Sequence, residues 1–291
     1  MRRAKINKII KFSNVDGPGN RMSIFFQGCN YNCLYCHNPE TINRCNSCGA
    51  CVDSCPAGAL CIVDSKVCWD KKLCVECDLC TEICMRNSSP KTMDYSMEEL
   101  LEEIKKVSGF IRGITVSGGE ATLNYKFITE LFKEVKKMGL TTFVDTNGSL
   151  DLREDIYSEF IRATDKFMVD MKVWDEKAHI DLTNIDNLIV KKNIEFLGVL
   201  GKLYEVRTVI VPEFLDNLET VSEVSRLIGG INSKNQSGED IIYKLIKYRQ
   251  VGVRKEILDE KLLEISSPRD EMMEELSKLA RSNGVEKVII I

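Results

Sequence analysis

The distribution of cysteine is the feature of this 291-residue sequence that most restricts its fold and chemistry. All thirteen cysteines lie between residues 29 and 84, and the rest of the chain contains none. Eleven of them fall into three spaced runs, and two of these runs repeat the spacing C-x2-C-x2-C-x3-C. Regular spacing of this kind is typical of metal or cluster ligands.

The overall composition is that of an ordinary soluble globular protein, with 44% hydrophobic and 29% charged residues. The net charge of −4 gives no basic footprint for nucleic acid. No apolar run approaches the ~20 residues that span a bilayer, and the basic N-terminus lacks the apolar stretch of a signal peptide. We therefore expect a cytoplasmic protein without membrane or nucleic-acid partners, and a monomer. Disulfides rarely persist in that compartment, so the cysteines are predicted to be ligands, catalysts or packing groups.

The second and third cysteine runs match the two-cluster bacterial ferredoxin pattern, in which the fourth cysteine of each run binds the other cluster. The third run has Met85 in place of the usual proline, which is not a ligand. Zinc is the alternative, although four-cysteine zinc sites are built from pairs rather than from closely spaced triplets. The pattern predicts one [4Fe–4S] cluster on Cys45, Cys48, Cys51 and Cys84, and another on Cys55, Cys74, Cys77 and Cys80.

Two cysteines, Cys61 and Cys68, remain outside these runs. The stretch ALCIVDSKVCW alternates and has a turn signal at Asp64 and Ser65, which predicts a β-hairpin between the two runs. In that register Cys61 and Cys68 face each other across the strands. We expect them to be small buried hydrophobic residues and assign them no function.

The first run has only three cysteines, Cys29, Cys33 and Cys36, at the spacing C-x3-C-x2-C. A [4Fe–4S] cluster has four irons, so three thiolates leave one iron without a protein ligand. A catalytic zinc site keeps one exchangeable position for the same reason. The run therefore predicts a cluster that binds a reactant, whereas a fourth cysteine would make it an electron carrier only.

This spacing resembles the signature of radical S-adenosylmethionine (SAM) enzymes. The resemblance implies that SAM chelates the open iron and that one electron from the reduced cluster splits it into methionine and a 5′-deoxyadenosyl radical. The flanking sequence narrows the resemblance to the glycyl-radical-enzyme activating enzymes, over most of residues 6–252. The segments that carry it are Asp16-Gly17-Pro18-Gly19, Phe26-Gln27-Gly28-Cys29, Cys36-His37-Asn38-Pro39-Glu40-Thr41, Ser117-Gly118-Gly119-Glu120, Asp145-Thr146-Asn147-Gly148, Asp170-Met171-Lys172 and Arg207.

Apolar strand-like runs alternate with amphipathic helical patterns, which predicts an α/β fold with a parallel sheet. One helix is predicted to begin at the capping box of Ser96 and Glu99, and another to end at Gly139. The family resemblance implies a partial (β/α)6 TIM-like barrel, from residues 1–43 and 87–291, with a two-cluster ferredoxin-like insert at 44–86. The strand-like runs are Ser23–Phe26, Ile114–Ser117, Thr142–Val144, Phe167–Asp170, Val206–Val211 and Ile241–Ile246.

Three of the motifs that carry the resemblance follow directly after predicted strands. In parallel barrels, that end of the strands forms the active face. The resemblance implies that Glu120 pairs with the SAM ammonium group and that Asp145, Met168 and Asp170 surround a monovalent cation, Na⁺ or K⁺. Two positions depart from the family: Ala121 stands where proline is usual, and residues 248–252 lack the histidine that relatives place against SAM. The implied SAM contacts are Tyr35, Cys36, His37, Ser117, Gly118, Gly119, Glu120, Asp145, Asn147, Asp170, Met171, Lys172 and Arg207.

The leading functional hypothesis is an oxidoreductase that uses SAM to abstract a hydrogen atom from a glycine Cα of a larger glycyl radical enzyme. The resemblance places Asp16 in the part that receives the partner's glycine loop, and it implies a flavodoxin- or ferredoxin-type reductant. We expect no acid–base catalytic residue, and His179 is predicted to be structural. The alternatives are a radical SAM enzyme for a small molecule and a non-catalytic electron carrier or zinc scaffold.

Overall fold

The computed structural model describes residues 2–234, 239–250, 252–253 and 264–291. It contains two compact units, and the segment Tyr31–His37 belongs to the second although it lies early in the chain. The predicted insert, residues 44–86, falls wholly within the first unit, and its boundaries as a separate domain stay a prediction. The N-terminal unit is Met1–Asn30 with Asn38–Leu140, and the C-terminal unit is Tyr31–His37 with Thr141–Ile291.

The sheet of the N-terminal unit mixes antiparallel and parallel pairing. Its strands are β1 (Arg3–Ser13), β2 (Arg21–Phe26), β7 (Met93–Ser96) and β8 (Gly113–Gly118). β1 lies between β7 and β2 and is antiparallel to both, whereas β2 and β8 are parallel. β2 and β8 are the first two of the predicted runs, and their interiors are almost fully buried.

Two helices cover this sheet region, α2 (Met97–Val107) and α3 (Tyr125–Lys137). The predicted capping box at the start of α2 is confirmed: the Ser96 hydroxyl accepts from the Glu99 amide, and the Glu99 carboxylate accepts from the Ser96 amide. The predicted end of α3 is also confirmed, because Gly139 follows the helix with a φ of +75°.

The cysteine-rich part of the N-terminal unit is built from very short elements. They are β3 (Asn43–Arg44), β4 (Leu60–Val63), β5 (Lys66–Trp69), the short helix α1 (Leu79–Glu82) and β6 (Ser88–Ser89). β4 and β5 form the predicted hairpin, and both turn residues, Asp64 and Ser65, have positive φ. The prediction that Cys61 and Cys68 are paired across it is confirmed, but the expectation that they are buried is wrong. Both are exposed, because the hairpin packs on the other cysteine-containing loops with its opposite face.

The C-terminal unit contains a parallel sheet in simple sequence order. Its strands are β9 (Thr141–Thr146), β10 (Lys166–Asp170), β11 (Leu203–Ile210), β12 (Ile242–Lys247) and β13 (Val288–Ile290). Each strand from β9 to β12 pairs in parallel with the next, and β12 pairs in parallel with β13. The predicted α/β architecture with a parallel sheet is therefore confirmed.

The connections between these strands contain helices, as parallel pairing requires. They are α4 (Ser158–Ala163), α5 (Glu176–Thr183), α6 (Leu188–Val199), α7 (Asn217–Asn232) and α8 (Asp270–Ser282). Within the described ranges, no helix is both long and apolar enough to cross a membrane.

Candidate functional site

The chain that leads into the first cysteine is held by a buried glutamine. Gln27 is only 1% exposed, and its amide donates to the carbonyls of Glu40 (2.7 Å) and Asn43 (2.6 Å). The amide of Cys29 donates to the carbonyl of Ile42 at 2.9 Å. The backbone of Cys29 is therefore held by its own hydrogen bond to Ile42 and, two residues earlier, by the side chain of Gln27; all of these residues belong to the N-terminal unit.

Gly118 and Gly119 lie at the carboxyl end of β8, against the loop before Cys29. A Cβ on Gly118 would lie 2.2 Å from the carbonyl oxygen of Phe26, and Gly118 has a φ of +126°. A Cβ on Gly119 would lie 2.4 Å from the carbonyl oxygen of Gly28. These glycines therefore allow two backbone segments to pack closely, a role that the sequence did not show.

Glu120 is 1% exposed and begins the short turn that follows β8. Its Oε1 accepts from the amide (2.9 Å) and the hydroxyl (2.5 Å) of Thr122. These bonds hold the buried carboxylate in one orientation, and Ser117, three residues earlier in the chain, is also buried. The predicted motif is therefore rigid at the end of its strand.

Asp16 forms the centre of a small polar cluster near β2. Its Oδ2 accepts from the hydroxyls of Ser13 and Ser23, both at 2.6 Å, and its carbonyl accepts from Thr115 at 2.6 Å. These contacts fix the loop that carries the Asp16-Gly17-Pro18-Gly19 motif.

Cys33 and Cys36 lie on the segment that belongs to the C-terminal unit. Backbone amides of Asn32 and Leu34 donate to Thr183 (3.2 Å) and Leu182 (3.0 Å), which anchors the segment to α5. Burial raises the pKa of the Cys33 thiol to about 12, although the positive charge of Lys172 opposes this shift. A thiol with this pKa is protonated at neutral pH, and coordination to a metal would supply the driving force for its deprotonation.

Lys172 provides a buried positive charge beside this cysteine. Its ammonium group lies 2.7 Å from the Asp170 carboxylate, and burial, which lowers the pKa of Lys172, is outweighed by Asp170, Tyr35 and Cys33. The pKa of Lys172 therefore lies well above its usual range. Burial also raises the pKa of Tyr35, whose hydroxyl has no hydrogen-bond partner among the residues described.

His37 is held by the segment that follows β12. Its Nε2 donates to the carbonyl of Arg249 at 2.9 Å, and its ring stacks on Tyr248 with a centroid distance of 6.3 Å. Gly252, at a φ of +83°, approaches so closely that a Cβ would lie 2.2 Å from the His37 carbonyl oxygen. The family histidine is missing from residues 248–252 of the sequence, and Tyr248, Arg249 and Gly252 contact His37, the histidine next to Cys36.

The predicted cation ligands are engaged by protein side chains. Arg207 forms an ion pair with Asp145 at 3.0 Å, and its Nη2 donates to the sulfur of Met168 at 3.1 Å. Asp170 is paired with Lys172, as described above. A monovalent cation would therefore compete with Arg207 and Lys172 for these ligands.

Two charged residues that the sequence did not single out complete this arrangement. Glu205 is 2% exposed and lies 2.5 Å from Arg207 and 2.8 Å from Lys244. Burial lowers the pKa of Arg207. The negative charges of Asp145 and Glu205 have a larger, opposite effect, so the pKa lies above its ordinary value. The result is a buried row of alternating charges from β9 to β12.

Buried asparagines, also missed, hold the loops at the carboxyl ends of these strands. The Asn193 side chain donates to the carbonyls of Gly148 (2.8 Å) and Leu150 (2.6 Å), so it fixes the loop after β9 that contains Asn147. Asn187 and Asn217 do the same for the loops after β10 and β11. An asparagine on a helix gives no local signal of this role.

Met171 and His179 have core positions. Met171 is buried, and its amide donates to the carbonyl of Arg207 at 2.9 Å. His179 is fully buried, donates through Nδ1 to the Ile185 carbonyl (2.6 Å) and meets the ring of Tyr31 edge-on at 5.6 Å. This agrees with its predicted structural role.

The remaining predicted cluster ligands gather into two groups. Burial raises the pKa of Cys51, and the thiols that add to this shift are those of Cys45, Cys84 and Cys48. The sulfur of Cys45 also accepts a backbone hydrogen bond from Ser47 (3.3 Å). A pocket is lined by the other predicted set, Cys55, Cys74, Cys77 and Cys80, with Leu60, Trp69 and Lys91.

No three His, Cys, Asp or Glu side chains among the described residues converge closely enough to hold a single metal ion. A cubane cluster requires a wider separation, because each thiolate binds a different iron. The four-cysteine pocket is mainly apolar, and the sulfur of Cys55 accepts from the Ala59 amide (3.3 Å). Backbone hydrogen bonds to ligand sulfurs are typical of iron–sulfur sites, so these residues fit such a group.

Comparison with known proteins agrees with this arrangement. The model of the radical SAM superfamily matches residues 23–228. A Haemophilus influenzae protein named as a glycyl-radical enzyme activating enzyme is 31% identical, over 98% of this chain and 96% of its own. The trans-4-hydroxy-L-proline dehydratase activating enzyme of Clostridioides difficile is 29% identical, over 94% of this chain and 95% of its own.

The fold is also found among solved structures. QueE from Escherichia coli superimposes with a TM-score of 0.54 at 12% identity, over 99% of this chain and 94% of its own. The chain belongs to the radical SAM superfamily and, within it, to the family of glycyl-radical enzyme activating enzymes.

Proposed function

We propose that this protein activates a larger glycyl radical enzyme. SAM bound to the reduced three-cysteine cluster would supply a 5′-deoxyadenosyl radical, which takes a hydrogen atom from a glycine Cα of the partner. The observation that carries the proposal is the run of Cys29, Cys33 and Cys36 in a chain whose near-full-length relatives are named activating enzymes. Three thiolates leave one iron available for SAM.

The chain's own residues would orient the cofactor and balance its charge. Lys172, buried beside Cys33, offsets part of the negative charge that a thiolate-bound cluster brings. The carboxylate of Glu120 is held by Thr122 and would bind the SAM ammonium group. The other proposed contacts are Tyr35, Cys36, His37, Ser117, Gly118, Gly119, Asp145, Asn147, Asp170, Met171 and Arg207.

A monovalent cation near the SAM carboxylate is part of the proposal. Asp145, Met168 and Asp170 supply two carboxylates and a thioether, and the cation would displace Arg207 from Asp145. Adding K⁺ or Na⁺ should then lower the Km for SAM, and Asp145→Asn should remove that dependence.

The two four-cysteine groups would hold two further clusters in a ferredoxin-like insert at 44–86, attached to a partial (β/α)6 barrel. The gathering of Cys55 with Cys74, Cys77 and Cys80 in one pocket supports this assignment. We propose that these clusters pass electrons from a flavodoxin- or ferredoxin-type reductant to the three-cysteine cluster. The alternative is that they shape the surface that binds the partner.

The partner's glycine loop is proposed to bind beside Asp16, whose loop is held rigid by Ser13 and Ser23. A rigid loop suits the recognition of a peptide backbone, because little conformational entropy is lost on binding. The protein is proposed to act as a cytoplasmic monomer.

The proposal is tested by cofactor cleavage under anaerobic conditions. The reconstituted protein, reduced with dithionite, should convert SAM to 5′-deoxyadenosine, and Cys36→Ala should abolish this. Cys68→Ala is the matched control, because Cys68 lies in the same cysteine-rich region and outside the proposed ligand sets. Loss of cleavage in both variants, or in neither, would contradict the assignment.

A second experiment separates the two roles of the insert. Cys77→Ala removes a ligand of the four-cysteine pocket and should stop activation driven by a protein reductant. Full recovery with a strong chemical reductant supports electron relay. No recovery, with 5′-deoxyadenosine still formed, would instead support a role in partner binding.

A further inference from the structure

The hairpin of β4 and β5 carries two cysteines that the proposed function does not use. Cys61 and Cys68 are directly opposite each other in the antiparallel register. Both side chains are exposed to solvent. Residues opposite each other in an antiparallel pair point to the same face, so the two thiols share one side of the hairpin.

The type of strand pair is shown by a neighbouring hydrogen bond. The Val67 amide donates to the hydroxyl of Ser47 at 3.2 Å, so it is directed away from its partner Ile62. Hydrogen-bonded and non-hydrogen-bonded pairs alternate along an antiparallel ladder, so the next pair, Cys61 and Cys68, is hydrogen-bonded. The Cα atoms of such a pair are about 5.5 Å apart. A disulfide requires a Cα–Cα separation of roughly 4.4–6.8 Å, and the separation typical of a hydrogen-bonded pair lies within that range.

The opposite face of the hairpin packs on the cysteine-containing loops. Leu60 and Trp69 line the pocket that contains Cys55, Cys74, Cys77 and Cys80, and Ile62 lies against Gly49 of the second run. Side chains alternate along a strand, so Cys61 and Cys68 point away from both groups. This placement excludes them from the proposed ligand sets and leaves them accessible to solvent.

We propose that Cys61 and Cys68 form a solvent-facing dithiol site that exchanges reversibly with external disulfides. One thiolate attacks a sulfur of the external disulfide, which releases one thiolate and leaves a mixed disulfide. The second cysteine then attacks the protein sulfur, which releases the second thiolate and closes the Cys61–Cys68 bond. The two cysteines lose two electrons and two protons, and the external disulfide is reduced to two thiols.

The bond would join the two strands of a hairpin that is short enough to be marginal by itself. The inner face of the hairpin forms one wall of the pocket that contains Cys55, Cys74, Cys77 and Cys80. The Cys61–Cys68 disulfide should therefore hold that wall in place. If the proposed clusters are present, the oxidised protein should release iron to a chelator several-fold more slowly. That consequence rests on the proposed function, whereas the dithiol chemistry does not.

The test uses the full-length protein with its clusters, under anaerobic conditions, with glutathione disulfide as the probe. After exposure to increasing ratios of glutathione disulfide to glutathione, thiols are blocked with N-ethylmaleimide and the protein is digested with trypsin. Cleavage after Lys66 separates Cys61, on peptide 45–66, from Cys68, on peptide 67–71. Mass spectrometry should find these two peptides linked, with fragmentation placing the bond at Cys61, and dithiothreitol should remove the link.

The matched control is Cys61→Ser, which should leave Cys68 as a stable glutathione adduct with no linked peptides. The proposal is overturned if both wild-type cysteines remain blocked by maleimide at every ratio, or if each carries glutathione separately. Because the readout is a peptide linkage, it is independent of SAM cleavage. A protein without radical activity could still form the bond, and an active activase could lack it.

Discussion

Replacing Glu205 with glutamine removes one charge from a buried and balanced set. The set contains three carboxylates and three cations, joined by four ion pairs of 2.5–3.0 Å. The pairs are Asp170 with Lys172, Asp145 with Arg207, Glu205 with Arg207, and Glu205 with Lys244. Glu205 contributes to two of them, one with each oxygen. Glutamine keeps a single carbonyl oxygen, so one cation would face an N–H group instead of a carboxylate.

The size of the effect follows from burial. The side chains of Arg207 and Lys244 are 11% and 10% exposed, and that of Glu205 is 2% exposed. Breaking a buried pair by removing one partner costs about 3–5 kcal/mol, because the remaining charge is left uncompensated. We expect Glu205→Gln to lower the free energy of unfolding by that amount. Glu223→Gln, which breaks an exposed pair with Arg226, should cost less than about 1 kcal/mol.

The assay is anaerobic urea unfolding followed by circular dichroism, with the midpoints compared at a common slope. A double variant tests the charge argument itself, because Glu205→Gln with Lys244→Met restores the balance. It should be less destabilised than the sum of the two single changes, by about 1–3 kcal/mol. The reasoning is refuted if Glu205→Gln costs no more than Glu223→Gln, or if the two buried changes simply add.

Three further predictions concern other parts of the chain. Gly252→Ala should slow 5′-deoxyadenosine formation by about tenfold or more, because the new Cβ displaces His37, whereas Gly201→Ala, at a φ of +65° in open space, should have little effect in the same assay. Burial lowers the pKa of His179 below its usual 6.5, so the neutral form is favoured on folding; stability should be full above pH 6.5 and decline as the pH falls through the lowered pKa. Thermal unfolding at several pH values should show this decline, and His179→Asn should flatten it. Ser96→Ala should cost about 1 kcal/mol in urea unfolding through loss of the capping box of α2, and no loss would contradict that role.

Much of the fold was predictable because its signals are local. Parallel strands such as β8 and β10 are buried on both faces, so they read as continuous apolar runs. The capping box of Ser96 and the turn at Asp64 and Ser65 are likewise set by neighbouring residues. β1 was not predicted, because its basic residues interrupt the apolar alternation and only its pairing with two other strands stabilises it.

In the candidate site, too, features with a local sequence signal were predictable and features set by distant residues were not. The cluster ligands could be predicted from the spacing of the cysteines, because most ligands of one cluster come from a short segment of the chain. Glu205 and Lys244 gave no signal, because a charged residue in a buried strand is explained only by a partner on a neighbouring strand. The exposure of Cys61 and Cys68 was missed for a related reason: alternation identifies the two faces of a hairpin but does not say which one is covered.

Transfer of a labelled hydrogen atom shows whether this protein generates a glycyl radical on a partner enzyme. A candidate partner glycyl radical enzyme is prepared with glycine deuterated at Cα and incubated with the reduced protein and SAM. The account predicts deuterium in the 5′-deoxyadenosine and a glycyl radical signal in electron paramagnetic resonance, both absent with Cys36→Ala. Formation of 5′-deoxyadenosine without deuterium and without a glycyl radical would contradict it.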